Sequence, residues 1–147
     1  MIQPNLHLQK PLEDYVEYTE KLSLRSIGLL ETMSDPSFSF QDPYHNAVGR
    51  IEAERTLDHR LRTYKNASYK VSDFMWGRRQ DVAYMFWSYR YTPRKKLMER
   101  SMPEPLIMEG MSELKFLPDG KIYSCCEFWG EHSGFDIKAY KKPPQAK

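Results

Sequence analysis

The stretch Phe38-Ser39-Phe40-Gln41-Asp42-Pro43-Tyr44, closed a few residues later by Gly49-Arg50, decides how this chain is read. Phe38 and Phe40 alternate with polar residues as on a half-buried strand. That strand delivers Asp42 to a proline-stiffened turn, and the Gly-Arg pair opens a long amphipathic segment. A carboxylate at a strand end, facing an aromatic shell, can have its pKa raised toward base chemistry. Asp-Pro is also a common turn dipeptide, and on this segment alone turn nucleation is the simpler reading. The flanking sequence shifts that balance.

Upstream, Pro11 suits a first helical turn, and Glu13 and Asp14 suit the positive end of a helix dipole. Leu12, Tyr15, Val16, Tyr18 and Leu22 continue as a helical stripe. A second helical stretch runs through Ile27, Leu29, Leu30 and Met33 and stops at Ser34-Asp35-Pro36. A third begins after Gly49, with Ala53, Leu57, Leu61 and Tyr64 on one face and charges on the other. After Asn66 the period becomes two. Tyr69, Val71, Asp73 and Met75 alternate with Lys70, Ser72, Phe74 and Trp76, and a second strand runs from Asp81 to Thr92. Residues 94–105 read as a charged connection. Leu106 to Leu117 and Lys121 to Trp129 are two further strands joined by the turn Pro118-Asp119-Gly120. Helices followed by long antiparallel strands predict an α+β domain.

The chain has 147 residues, enough for a single domain with one core, with loose ends expected at about 1–10 and 141–147. The net charge of +2 is spread over mixed acidic and basic residues, which argues against a nucleic-acid partner. Neither a secretory signal nor a membrane-spanning run is legible, so a cytoplasmic protein without a membrane partner is expected. Cys125 and Cys126 are adjacent and point to opposite faces of a strand, so free thiols are expected. His7, His45, His59 and His132 are scattered, and no metal site or cofactor is predicted. The aromatic content implies either a bulky core or a ring-lined cavity. Met75, Met85, Met108 and Met111 read as gap-fillers.

With these elements in place, the chain resembles the nuclear-transport-factor-2-like superfamily, in its SnoaL-like and ketosteroid-isomerase-like branch. The likeness runs from Leu12 to about Tyr140. It rests on the order helix, helix, Asp-Pro-aromatic strand, Gly-Arg, helix and four strands. Gly110-Met111-Ser112-Glu113-Leu114-Lys115-Phe116, then Asp119-Gly120-Lys121-Ile122 and Phe128-Trp129, also match. The resemblance implies a cone: N-terminal helices packed in a strongly curved, mostly antiparallel sheet with a cavity at its mouth. It further implies a homodimer formed through the outer face of the sheet.

Ketosteroid isomerases of this fold use an Asp base, a Tyr donor and a protonated Asp. The resemblance places the base on Asp42 and the hydroxyl donor on Tyr18. Ser112 stands where the protonated acid would be, and Leu57 replaces a tyrosine that would support Tyr18. Glu127 stands where the isomerases carry a small apolar residue. On strand alternation it shares the cavity face with Cys125 and Trp129 and is a second candidate acid, or a partner for an arginine such as Arg90. Tyr15, Phe40, Leu57, Trp87, Ser112, Leu114, Phe116 and Trp129 are the expected ligand-lining residues. Two functions stay open. One is an acid/base enzyme, an isomerase, cyclase or dehydratase acting on an apolar enolisable carbonyl compound. The other is a non-catalytic ligand-binding or dimeric association module.

Overall fold

A computed structural model describes residues 6–130 apart from 96, 99 and 102. Helix α1 spans Leu6–Glu20, a 3-10 turn covers Ile27–Leu29, and the single-turn helix α2 spans Leu30–Met33. Strands β1 (Ser34–Gln41) and β2 (Asn46–Val48) precede helix α3 (Arg50–Thr63). Four long strands follow: β3 (Lys65–Trp76), β4 (Val82–Thr92), β5 (Leu106–Phe116) and β6 (Ile122–Phe128). The sheet order is β2-β1-β6-β5-β4-β3. All neighbours pair antiparallel except β1 and β6, which run parallel. The sheet is open, and α1 lies against β3 while α3 lies against β1. The α+β class and the mostly antiparallel sheet agree with the sequence reading.

Three local features differ from it. The first helix begins at Leu6, so residues 6–10 are not loose, and Leu8 is only 1% exposed. Pro11 therefore sits inside the helix rather than at its first turn. Its ring packs on the β5–β6 turn, where a Cβ added to Gly120 would lie 3.1 Å from Pro11 Cγ. Packing thus offsets the lost backbone hydrogen bond. The second difference is β2, three residues too short to show a period. The third is that β1 begins at Ser34 and carries Pro36 through a register break between Ser34 and Ser39. A proline is tolerated where the ladder is interrupted. The expected loose end at 141–147 and His132 lie outside the described residues.

Gly49 introduces α3 with φ at 93°, a conformation open to glycine and costly for other residues. The helix then buries Ala53, Thr56, Leu57 and Arg60. These positions follow i, i+3, i+4, i+7, a single helical stripe facing the sheet. Leu61, expected on that stripe, is half-buried at its edge.

Candidate functional site

The site is built by the one parallel pairing. Phe40 lies opposite Cys125 and Gln41 opposite Cys126, so the next residues on the two strands are Asp42 and Glu127. Alternation puts Phe40 and Asp42 on one face of β1's path, and Cys125 and Glu127 on the same face of β6. Both carboxylates therefore arrive beneath α3, where Arg60 comes down from the helix stripe.

Arg60 is 1% exposed, and Asp42 and Glu127 are also buried. Arg60 Nη2 donates to Asp42 Oδ2 at 3.0 Å and to Glu127 Oε1 at 2.8 Å. Arg60 Nη1 donates to Glu127 Oε2 at 3.3 Å, completing a fork on that carboxylate. Arg60 Nη1 also donates to the Tyr69 hydroxyl oxygen, and Tyr69 in turn donates to Glu127 Oε2 at 2.5 Å. Trp129 Nε1 adds a bond to Glu127 Oε1 at 3.1 Å. Rings of Phe40, Tyr69 and Tyr89 surround the guanidinium, at 5.4, 5.9 and 5.7 Å from its carbon. Burial pushes the Tyr69 and Tyr89 hydroxyls up, and the Arg60 charge opposes that rise at both. Both hydroxyls are therefore neutral, and Tyr69 is the one that donates.

Asp42 has a second set of partners. Its Oδ1 accepts from the backbone N–H of Tyr44 and of His45, each at 2.8 Å, and His45 Nδ1 lies 3.1 Å away. Asp42 thus shapes the Asp-Pro turn and pairs with Arg60 at once. The apolar shell expected around its carboxyl is replaced by a guanidinium, two N–H groups and an imidazole. Glu127's arginine is Arg60, not Arg90, which is exposed on β4.

The other expected residues divide into two sets. Tyr15, Tyr18, Phe40, Leu57, Ser112 and Glu127 border an inner cavity of about 10 Å³. That is room for about one water, so the described side chains fill most of the interior where a ligand was expected. Trp87, Leu114 and Phe116 are core residues beside it, and Trp87 Nε1 donates to Ser112 Oγ at 2.9 Å. Tyr18 turns away from the carboxylates and donates to the Ile27 carbonyl at 2.9 Å, its hydroxyl pushed up by burial and by the nearby Glu54 charge. Trp129 stands at the outer edge, its ring 5.6 Å from that of Tyr44. There, Asp42, His45, Glu127, Phe128 and Trp129 help to line a shallow depression of about 430 Å³. Glu127 borders both the inner cavity and this depression.

Arg60, Tyr69 and His45 were not among the residues singled out from sequence. Arg60 carries a legible signal: it falls seven residues after Ala53 on the apolar stripe, where a charge is out of place unless paired. Tyr69 offers none, because its contact with Glu127 is long-range, whereas His45 stands three residues after Asp42 in the same turn, a spacing visible in the sequence. Among the described residues no cluster of His, Cys, Asp and Glu fits a metal ion. Cys125 and Cys126 are free thiols, and burial pushes that of Cys125 up to about 12.

No family profile and no curated protein matches the sequence. Solved structures do match the fold. A SnoaL-like polyketide cyclase candidate from Jannaschia sp. CCS1 superposes with a TM-score of 0.70 at 9% identity, over 98% of this chain and 99% of that one. A steroid delta-isomerase from Pseudomonas aeruginosa gives 0.64 at 14% identity, over 95% and 90%. An NTF2-like protein of unknown function from Exiguobacterium sp. 255-15 gives 0.66 at 10% identity, over 83% and 99%. Helices laid in a six-stranded open sheet, and likeness to cyclase, isomerase and NTF2-like structures, show that this chain has an NTF2-like fold.

Proposed function

We propose that this chain is a SnoaL-like small-molecule pocket protein that performs acid/base chemistry on an apolar enolisable carbonyl compound, as an isomerase, cyclase or dehydratase. The observation that carries this reading is the convergence of Asp42 and Glu127, both of which border the depression, on one buried guanidinium. Charges taken out of water cost stability that apolar side chains would not, and such clusters in clefts are candidate reaction sites. The isomerase and cyclase named among the structural neighbours support the same class of chemistry.

The roles follow from the Arg60 fork on Glu127 and from the resemblance to isomerases, because both oxygens of each carboxylate are hydrogen-bonded. At Asp42, Oδ1 accepts from the N–H groups of Tyr44 and His45, and Oδ2 from Arg60. Both oxygens of Glu127 are occupied, by Arg60, Tyr69 and Trp129. Glu127 therefore holds Arg60 in place. Asp42 is the carboxylate that takes the proton next to the carbonyl, leaving an enolate, and gives it back at another carbon. Trp129 and Phe128 supply the apolar wall, and Tyr18 is a wall of the inner cavity rather than the oxyanion donor.

The test is a thermal-shift screen with small cyclic ketones and enones, followed by deuterium exchange at the carbon next to the carbonyl. The wild-type chain is expected to be stabilised by a compound whose proton it exchanges. Asp42→Asn keeps the thermal shift and loses exchange by orders of magnitude. Absence of any stabilising compound, or undiminished exchange by Asp42→Asn, removes the reading.

A second reading is a non-catalytic ligand-binding or association module of the same fold, and the small inner cavity favours its association form. Under either reading the chain is a homodimer joined through the outer sheet face. Phe86, Met111 and Phe128 are direct cross-strand neighbours there, and Met75 pairs with Tyr84 beside them. A continuous apolar row on an open sheet is the kind of surface a second copy covers.

A further inference from the structure

The connection between β4 and β5 reads Pro93-Arg94-Lys95-Lys96-Leu97-Met98-Glu99-Arg100, and none of the chemistry above uses it. Leu97 is 99% exposed and Met98 90%, more than any other exposed large apolar residue among those described. Arg94, Lys95 and Arg100 are exposed around them. The base of the loop is tied down, since Arg94 Nε donates at 2.9 Å to the carbonyl of Arg62, in the last turn of α3. That end of the molecule also carries exposed Lys65, which pairs in register with Thr92, and exposed Arg90, which pairs with Ile107. Ile107 is 56% exposed. The acidic groups nearby are fewer: Glu104 and Glu109 are exposed, Glu99 stands in the sequence, and Asp58 is paired with Arg62 at 2.7 Å. A chain of net charge +2 therefore gathers much of its excess positive charge around two uncovered apolar side chains.

We propose that this connection is a membrane-docking tip, seating Leu97 and Met98 in the interface of an anionic lipid bilayer with Lys95 and Arg100 on the headgroups. The two halves of the tip suit different layers of such a surface. Cations are drawn to the negative headgroups, apolar side chains enter the acyl boundary, and the long stems of Lys and Arg reach between them. Among the described residues no helix is long and apolar enough to cross a membrane, and peripheral docking requires none. The proposal is independent of the reading given to Asp42 and Glu127.

The test is co-sedimentation of the full chain with vesicles of phosphatidylcholine alone and with vesicles that also contain phosphatidylserine. Binding is expected to the anionic vesicles at least about tenfold more strongly, and to weaken with salt. Replacing Leu97 and Met98 together by Ser is expected to weaken it by about tenfold or more, and Lys95→Glu with Arg100→Glu to abolish it. These side chains lie outside the core, and an unchanged urea midpoint confirms that each variant is folded. No binding to anionic vesicles overturns the proposal. So does binding that the Leu97 and Met98 replacements leave unchanged, which marks adsorption by charge alone. Equal binding to both vesicle types overturns it as well.

Discussion

A guanidinium buried beneath α3 loses its water entirely, and Arg60 is held there by two carboxylates, a tyrosine and three aromatic rings. Exchanging the whole cluster for apolar residues could be neutral, but removing one member strands the others. Arg60→Met is therefore expected to cost about 3–5 kcal/mol, because Asp42 and Glu127 lose their shared cation. Urea unfolding measures this, and a loss below about 1 kcal/mol would mean that the carboxylates find other partners. Cys125 gives a pH prediction. Its thiol is raised by burial from 9.0 to about 12, so the folded state favours the protonated form. That contribution is complete below pH 9 and is lost as pH rises toward 12. Cys125→Ala should flatten the fall in stability over that window. A thiol reagent at neutral pH should modify Cys126, which is partly exposed, and spare Cys125 in the native chain. Equal reactivity of both, or an unchanged alkaline slope, counts against this account.

At the scale of elements, the register of β4 with β5 depends on one small residue. Gly110 faces Trp87, and a Cβ there would lie 2.6 Å from Trp87 Cη2 and 2.8 Å from the Phe128 carbonyl oxygen. The indole, which reaches Ser112, thus lies across β5 only because no side chain stands at 110. Gly110→Ala should cost about 1–3 kcal/mol by overpacking and disturb the Trp87 environment, visible in its near-ultraviolet circular dichroism. An unperturbed spectrum with unchanged stability would show that the sheet yields there. Periodicity made the elements themselves legible. The stripe Ala53, Leu57, Tyr64 gave α3, and the alternation from Tyr69 gave β3. The pairing of β1 with β6 was not legible, because two parallel strands so far apart in sequence leave no shared local pattern. Asp42 and Glu127 could each be singled out from sequence, whereas their meeting on Arg60 could not. Arg60 was marked only by its place on the stripe, seven residues after Ala53, a signal that the other arginines of α3 obscure.

For the whole molecule, the open sheet presents an apolar row on its outer face that stays partly exposed among the described residues. Phe128 is 52% exposed and Met75 45%, and the register sets Phe86, Met111 and Phe128 side by side on three neighbouring strands. Adjacent strands lie about 4.8 Å apart, so the three side chains form one continuous strip. A two-fold contact would bury that strip against its own copy, each strip supplying the partner surface of the other. The chain is accordingly expected to have the mass of a dimer by light scattering at micromolar concentration. Met111→Asp would place a carboxylate at the centre of the strip, where pairing with a second copy desolvates it without a cation. That variant should run as a monomer with its far-ultraviolet spectrum unchanged. A monomeric wild-type mass would remove the dimer outright, and a dimeric Met111→Asp variant would move the contact to another face.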